Sequence, residues 1–434
     1  MEKEKNNLSK KSQINFDINL ISKFLNNYKF LLIFLLLAII MYSQLYSALG
    51  QTIMHHSHWD SYTIQANAWL KGRTDLGQDY SWLELSYYQD KVYLGFPPFP
   101  SVPMFFLALF FGEETPSSFV TSLYAILAFL AAYMLCRRFK LTDFAAALWA
   151  VFLTFGSNLI SVSVIGGVWF QAQSLSFALT CLSILFITSD KKTHWYLSLA
   201  FWAMAVGCRP FQIIYFPVYV YIIYQKLQKE GFDTKAFLKT LTKILIVPAF
   251  IGFLYAAYNY IRFGNPLDFG RLYFKEFANE VHGEFSIHYF LSNWRNIFRL
   301  PLDENNRIQF QKFNGFAFYI ANPFYIVFLM AFFTSVFMAI RKKIKFDMFD
   351  LLIPGTILLH AIATLSHKTL GGWQFGLRYF IDMLPMAFLY VLIKSTKVNE
   401  FKKYQLSITL STVPLIIFSV ALNIYGTLWL FLEW

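Results

Sequence analysis

Residues 55–76 read HHSHWDSYTIQANAWLKGRTDL, a polar, aromatic and acidic stretch in an otherwise apolar chain. Trp59, Tyr62, Ala66, Trp69 and Leu70 recur at helical spacing, giving one apolar face to a helix too polar to cross a bilayer. Such a helix lies in the plane of the membrane interface. Asp60 stands at its N-terminus, where a carboxylate is electrostatically favoured, and capping alone accounts for an acid there. A carboxylate held at the membrane surface could also take a proton from a hydroxyl. His55, His56 and His58 adjoin it, with His282, His288 and His367 on the same expected side. With Asp60 or Glu84, His58 could complete a divalent metal site. The spacing fits no standard ligand pattern, and hydrogen-bonded interface histidines explain it as well.

The elements that must position these groups follow from composition. The 434 residues are 57% hydrophobic, 20% aromatic and only 14% charged, too few charges to cover a soluble domain of this size. Apolar runs of about 20 residues recur, the mark of transmembrane helices. The expected fold class is an all-α polytopic membrane protein forming one domain over 1–434. The net charge of +12 is distributed rather than clustered. Expected cytoplasmic segments 1–29, 137–140, 190–193, 226–243, 341–345 and 394–403 carry 24 of the 37 Lys and Arg. That is the positive-inside bias of a membrane protein and not a nucleic-acid surface. Cys136, Cys181 and Cys208 fall within or at the ends of apolar runs, which argues against a disulfide framework or a thiolate metal site. Lys3, Lys5, Lys10 and Lys11 precede a first run long enough to span, so it reads as an uncleaved helix with its N-terminus inside.

About eleven spans are expected, over 30–49, 117–138, 142–162, 168–188, 194–207, 211–225, 241–260, 316–340, 348–366, 378–394 and 405–425. They place the C-terminus outside, with two large outer loops at 50–116 and 261–315. In the first loop, Pro97, Pro98, Pro100 and Pro103 interrupt any helix. The apolar Met104–Phe111 beyond them reaches only about 12 Å, far short of the bilayer core. It should dip into the outer leaflet and, with the helix after Asp60, roof a cavity at the lipid–water boundary.

The stretches QANAWLKGR (65–73), KVYLGFPPFP (91–100), YNYIRFGNP (258–266) and GGWQFGLRY (371–379), with Asp60, occur in an order that resembles the GT-C superfamily of integral-membrane glycosyltransferases. Protein O-mannosyltransferases and bacterial cell-envelope sugar transferases belong to that group. The chain departs from the family pattern in having no Asp-Asp or Asp-Glu doublet after the first helix.

The resemblance implies transfer of a sugar from a polyprenyl-phosphate donor to a hydroxyl acceptor at the outer face. Asp60 would be the general base, and Glu84, or else Asp90, a second acid orienting the acceptor. The leaving phosphate needs fixed cations, best supplied by arginine. Arg378, after Gly371, Gly372 and Gly376, is the first candidate, with an i, i+4 pair to Asp382 as its structural alternative. Arg209 could be a second ligand or a snorkelling anchor. Arg262, Asn259 and Lys91 are further substrate-binding candidates, although capping, loop packing or plain solvation account for them too. Tyr93 and Gln374 complete the set, and Tyr87 and Tyr88 are the other aromatics considered near substrate.

The competing class is a multi-helix transporter or a flippase for lipid-linked sugars. Transporters place polar groups at mid-membrane, whereas here ionisable residues collect at expected outer helix ends. A non-catalytic assembly protein would not need Asp60 with several outward arginines.

Overall fold

The computed structural model describes residues 25–277, 280–342, 345–397 and 399–432. The lysine-rich leader at 1–24, Lys343 and Trp434 lie outside them. The first apolar run forms α1 (Lys29–Ala48). The polar stretch forms α2 (Ser61–Leu70), capped by Asp60, whose side chain accepts from the Thr63 amide. A hairpin follows, β1 (Ser86–Tyr88) and β2 (Lys91–Tyr93), pairing Ser86 with Tyr93. Gln89 and Asp90 at its tip have φ of +48° and +59°, as a tight two-residue hairpin turn demands. The apolar segment after the prolines is α3 (Ser101–Phe111). Pro103 lies inside its first turn, one turn earlier than the expected start. There the missing N–H would have had no intrahelical partner anyway.

The remaining described residues are mostly helical. The chain runs through α4 (Ser117–Arg138), α5 (Asp143–Thr154), α6 (Leu159–Ser163), α7 (Val168–Ile187), α8 (Lys192–Val206) and α9 (Phe216–Lys229). It continues with α10 (Thr234–Phe263), α11 (Ile287–Asn293), α12 (Phe318–Ala321), α13 (Phe324–Ile340), α14 (Met348–Leu365), α15 (Leu384–Lys397) and α16 (Asn399–Leu432). Among the described residues six helices, α1, α4, α7, α10, α14 and α16, are long and apolar enough to cross a membrane. The other five expected spans are helical but broken or shorter than 18 residues. The expected run 142–162 breaks at Gly156-Ser157-Asn158, poor helix formers. The expected run 378–394 begins as a 3-10 segment, Arg378–Met383, and becomes α-helical at Leu384-Pro385. Arg209 likewise precedes a 3-10 segment, Pro210–Tyr215, ahead of Phe216-Pro217. Proline at the second helical position fits a helix start and resists a continuous helix through it.

Burial ranks the helices. Of the most apolar window of each, 89% of α7 is buried and only 11% of α10, so α7 stands inside the bundle and α10 on its periphery. α7 packs against α4 and α8. The connections at one end of the bundle are stitched together over its N-terminus. The Ser86 hydroxyl donates to the Gly270 carbonyl (2.7 Å), and the Ser286 amide donates to the Ser366 carbonyl (2.9 Å). The Asn293 side chain donates to the Leu365 and His367 carbonyls (3.1 and 2.9 Å).

Gly166 and Gly167 form the entry to α7. A Cβ at Gly166 would lie 2.4 Å from the backbone carbonyl carbon of Ser117, whereas at Gly167 the nearest atom is 3.5 Å away. Gly166→Ala therefore lowers stability by about 1–3 kcal/mol through overpacking. Gly167→Ala is near neutral. Thermal unfolding of the two variants in detergent measures the difference.

Candidate active site

Three side chains in the first turns of α7 reach the principal candidate residues. The Trp169 indole donates to Glu84 Oε2 (3.0 Å). Gln171 Nε2 donates to Asp60 Oδ1 (2.6 Å) and to the Gly166 carbonyl (2.7 Å). Gln173 accepts from Arg378 Nη1 (3.1 Å) and donates to the Arg378 carbonyl (3.0 Å). One helix end thus gathers a carboxylate from the loop after α1, a second from before the hairpin, and a guanidinium from the 3-10 segment before α15.

Asp60 is 1% exposed. Its Oδ1 also accepts from the Thr63 amide (3.0 Å), and Oδ2 accepts from the Thr63 hydroxyl (2.5 Å) with His56 Nδ1 at 3.9 Å. Oδ2 keeps a lone pair for a further donor. Burial pushes the Asp60 carboxyl above its ordinary pKa, opposed by the Thr63 bonds, His56 and Gln171. Glu84 is more than a third exposed, yet protein crowds its carboxyl enough for desolvation to raise its pKa. The Trp169 bond and the charges of Arg271 and Arg378 oppose that rise.

Arg378 is 4% exposed, and among the described residues it has no carboxylate in salt-bridge reach. Asp382, its expected i, i+4 partner, pairs instead with Arg209 (Nε to Oδ2, 2.8 Å). Both guanidinium carbons sit 4.7 Å from the Tyr379 ring centre. Two cations flank one aromatic ring with a single close carboxylate between them, which leaves positive charge for an anion. Gln374 holds the Arg378 loop: it is buried, donates to the Leu370 and Gly371 carbonyls and accepts from the Arg378 amide (2.9 Å). Gly376 turns that loop with φ +72°, where a Cβ would collide with Ala321 at 2.3 Å.

The other candidates lie elsewhere. Arg262 Nη1 donates to the Leu94 carbonyl (2.7 Å) and Nη2 to Asn259 Oδ1 (2.8 Å), tying the end of α10 to the hairpin. Asn259 also donates to the Pro266 carbonyl (3.2 Å). Tyr93 packs edge-on against Phe263, and Lys91 is exposed on the hairpin. Asp90 occupies the hairpin tip. Tyr87 donates to Asp79 (2.8 Å), and Tyr88 packs on Phe263 and Tyr273.

The histidines go to separate partners. His58 stacks on Trp82, His56 faces the Thr115 carbonyl, His282 stacks on His288, and His367 meets Glu284. Among the described residues no three His, Cys, Asp or Glu side chains converge in a way that could hold a metal ion.

Sequence reasoning missed Gln171, Gln173, Tyr379 and Arg271. The two glutamines carried a signal, being polar residues in an apolar run. Arg271 bonds Glu284 (3.0 Å), and its charge reaches both Glu84 and Tyr62. The buried Tyr62 and Tyr124 hydroxyls have no hydrogen-bond partner among the described residues, and both feel the charge of Asp60. Tyr124 ends an apolar groove of about 420 Å³ between α3 and α4, lined by Pro103, Phe106, Phe111 and Leu123.

Two tests follow from this geometry. Asp382→Asn leaves the Arg209 guanidinium without its countercharge. Because Arg209 is 24% exposed, the loss falls at the lower end of the range for buried pairs, about 3 kcal/mol in thermal unfolding. The second concerns Asp60, whose pKa is raised on folding. The folded chain then binds that proton more tightly than the unfolded chain, so the contribution is complete below the unfolded value and is lost as pH rises through the folded one. The wild-type melting temperature therefore falls across that window, and Asp60→Asn removes this part of the slope.

No family model and no curated protein matches the sequence. Solved structures do. The apo oligosaccharyltransferase of Archaeoglobus fulgidus superposes with a TM-score of 0.51 at 13% identity, over 93% of this chain and 56% of that one. ArnT from Cupriavidus metallidurans bound to undecaprenyl phosphate matches at 0.47 and 13% identity, over 93% and 76%. The Archaeoglobus enzyme with Zn and sulfate matches at 0.42 and 13% identity, over 90% and 52%. This chain thus spans little more than half the length of the oligosaccharyltransferase. At this identity the likeness to the archaeal oligosaccharyltransferase shows the fold alone, a multi-pass arrangement of apolar helices.

Proposed function

We propose that the protein transfers a sugar from a polyprenyl-phosphate donor to a hydroxyl acceptor. The observation that carries this reading is the convergence at the N-terminus of α7 of a buried carboxylate, Asp60, and an arginine without a close countercharge, Arg378. The fold supports a lipid-linked donor, since ArnT has been solved with undecaprenyl phosphate and the archaeal oligosaccharyltransferase with a dolichol-phosphate. The apolar groove ending at Tyr124 suits a prenyl chain.

In this reaction the acceptor oxygen forms a bond to the anomeric carbon while the bond from that carbon to the phosphate oxygen breaks. The electron pair leaves on the polyprenyl phosphate, and the acceptor proton passes to Asp60 Oδ2. Arg378 and Arg209 hold the growing phosphate charge in a site where few water dipoles compete. Glu84 orients the acceptor. Arg262, Asn259 and Tyr93 act by holding the hairpin, and Gln374 by holding the Arg378 loop. The residues around Asp60 do not fit a divalent metal, because among the described residues no three His, Cys, Asp or Glu side chains converge there and the acid doublet is absent. No step is routed through one. The positive-inside bias of the sequence supports an orientation with the N-terminus in the cytoplasm and this end of the bundle on the extracytoplasmic face.

The test is turnover of purified protein with a panel of polyprenyl-phosphate sugars, reading release of polyprenyl phosphate. Asp60→Asn lowers kcat by roughly a hundredfold to ten-thousandfold, as loss of a general base does. Arg378→Lys keeps the charge but loses the planar fork, and it lowers kcat/KM by about tenfold or more. Because burial raises the Asp60 pKa, the acid limb of kcat/KM lies above the ordinary aspartate value of 3.8. Turnover unaffected by Asp60→Asn removes the proposed base.

A further inference from the structure

Beside Asp60 lies a group of aromatic side chains that the transfer chemistry does not use. Trp59 and Trp169 are half-buried with ring centres 6.1 Å apart and planes tilted by 38°. Trp82 is 43% exposed, stacked on His58 at 4.7 Å, with Tyr80 edge-on at 5.6 Å. Their backs are fixed, since Trp59 and Tyr80 rest on the small core of Leu76, Leu83 and Leu85. Glu84, more than a third exposed as a residue, holds the Trp169 indole with one carboxylate oxygen.

We infer that Trp59, Trp82 and Trp169, with Glu84 on the Trp169 indole, form a subsite for a pyranose ring, and that the acceptor is a saccharide. A pyranose has an apolar face of C–H groups and an equator of hydroxyls. Rigid indole faces match the first, and a carboxylate with free lone pairs accepts from the second. An interfacial tryptophan belt explains the arrangement less well. Belt tryptophans face lipid, and an ionised carboxylate bonded to one of them would there be desolvated without a cation in contact. A peptide hydroxyl would need a groove of backbone donors and acceptors, not indole rings beside one acid. The inference rests on the transferase reading for its assignment to the acceptor; the affinity for a pyranose does not.

The experiment is saturation-transfer NMR on the full chain in detergent, with methyl β-D-glucopyranoside, methyl α-D-mannopyranoside, methyl N-acetyl-β-D-glucosaminide and short Ser- and Thr-containing peptides. At least one glycoside shows saturation of the protons on its apolar ring face, and the peptides show none. Trp82→Ala weakens that binding by about tenfold, the scale of loss for a truncated aromatic anchor, and Trp82→Phe restores part of it. No saturation of any glycoside, or saturation unchanged in Trp82→Ala and Glu84→Gln, overturns the subsite. In turnover assays Trp82→Ala lowers transfer to a saccharide more than it lowers hydrolysis of the donor. An equal loss of both moves the pyranose to the donor and overturns the acceptor assignment. Glycoside binding without release of polyprenyl phosphate by the wild type sinks the transferase reading and keeps the subsite. Transfer to a simple alcohol with no glycoside binding does the reverse.

Discussion

A polar side chain inside an apolar helix bundle has to find its hydrogen-bond partner within the protein. Gln171, through its Nε2, and Gln173, both fully buried at the start of α7, find partners by reaching out of the helix, one to Asp60 and the other to Arg378. A buried amide left without partners costs on the order of 1–3 kcal/mol, so these bonds fix where the connecting loops can lie. Residues from segments more than a hundred positions apart are held together because α7 cannot be satisfied otherwise. The carboxylate and the guanidinium gain from the arrangement in turn, since neither could be buried without donors or acceptors of its own.

Charge is handled the same way one layer out. Arg209 and Asp382 neutralise each other, which frees Arg378 from the i, i+4 partner that local spacing suggests. The 3-10 geometry of Arg378–Met383 contributes, because i and i+4 do not lie over one another in the tighter helix. Tyr379 between the two guanidiniums offers a negative ring face to both and lets like charges approach. The result is one buried guanidinium, that of Arg378, without a carboxylate in salt-bridge reach among the described residues.

The first connection is made of short pieces. α2, α3 and the hairpin are each too short to be stable alone, and each is pinned by contacts to something longer. Asp60 caps α2 and bonds α7, Ser86 ties the hairpin to Gly270, and Arg262 ties the hairpin's far end to α10. The Asp60 carboxylate therefore both caps a helix and meets α7. The two roles do not compete, because Oδ1 takes the Thr63 amide and the glutamine while Oδ2 takes the Thr63 hydroxyl.

Long apolar runs and the helix after Asp60 were legible in the sequence, because hydrophobic length and periodicity are local properties that a bilayer reads directly. The boundaries of α4, α7 and α14 follow within a residue or so of the expected ones for that reason. What the chain alone did not determine was pairing. Asp382 could have met Arg378 and meets Arg209; Arg262 and Asn259 have the residue types of a binding site and spend them holding a hairpin. The breaks at 155–158 and 378–383 depend on neighbours that receive the freed groups, as Asn158 donates to the Phe375 carbonyl. Such choices depend on which partners tertiary packing brings within about 3 Å, and no spacing along the chain encodes that distance.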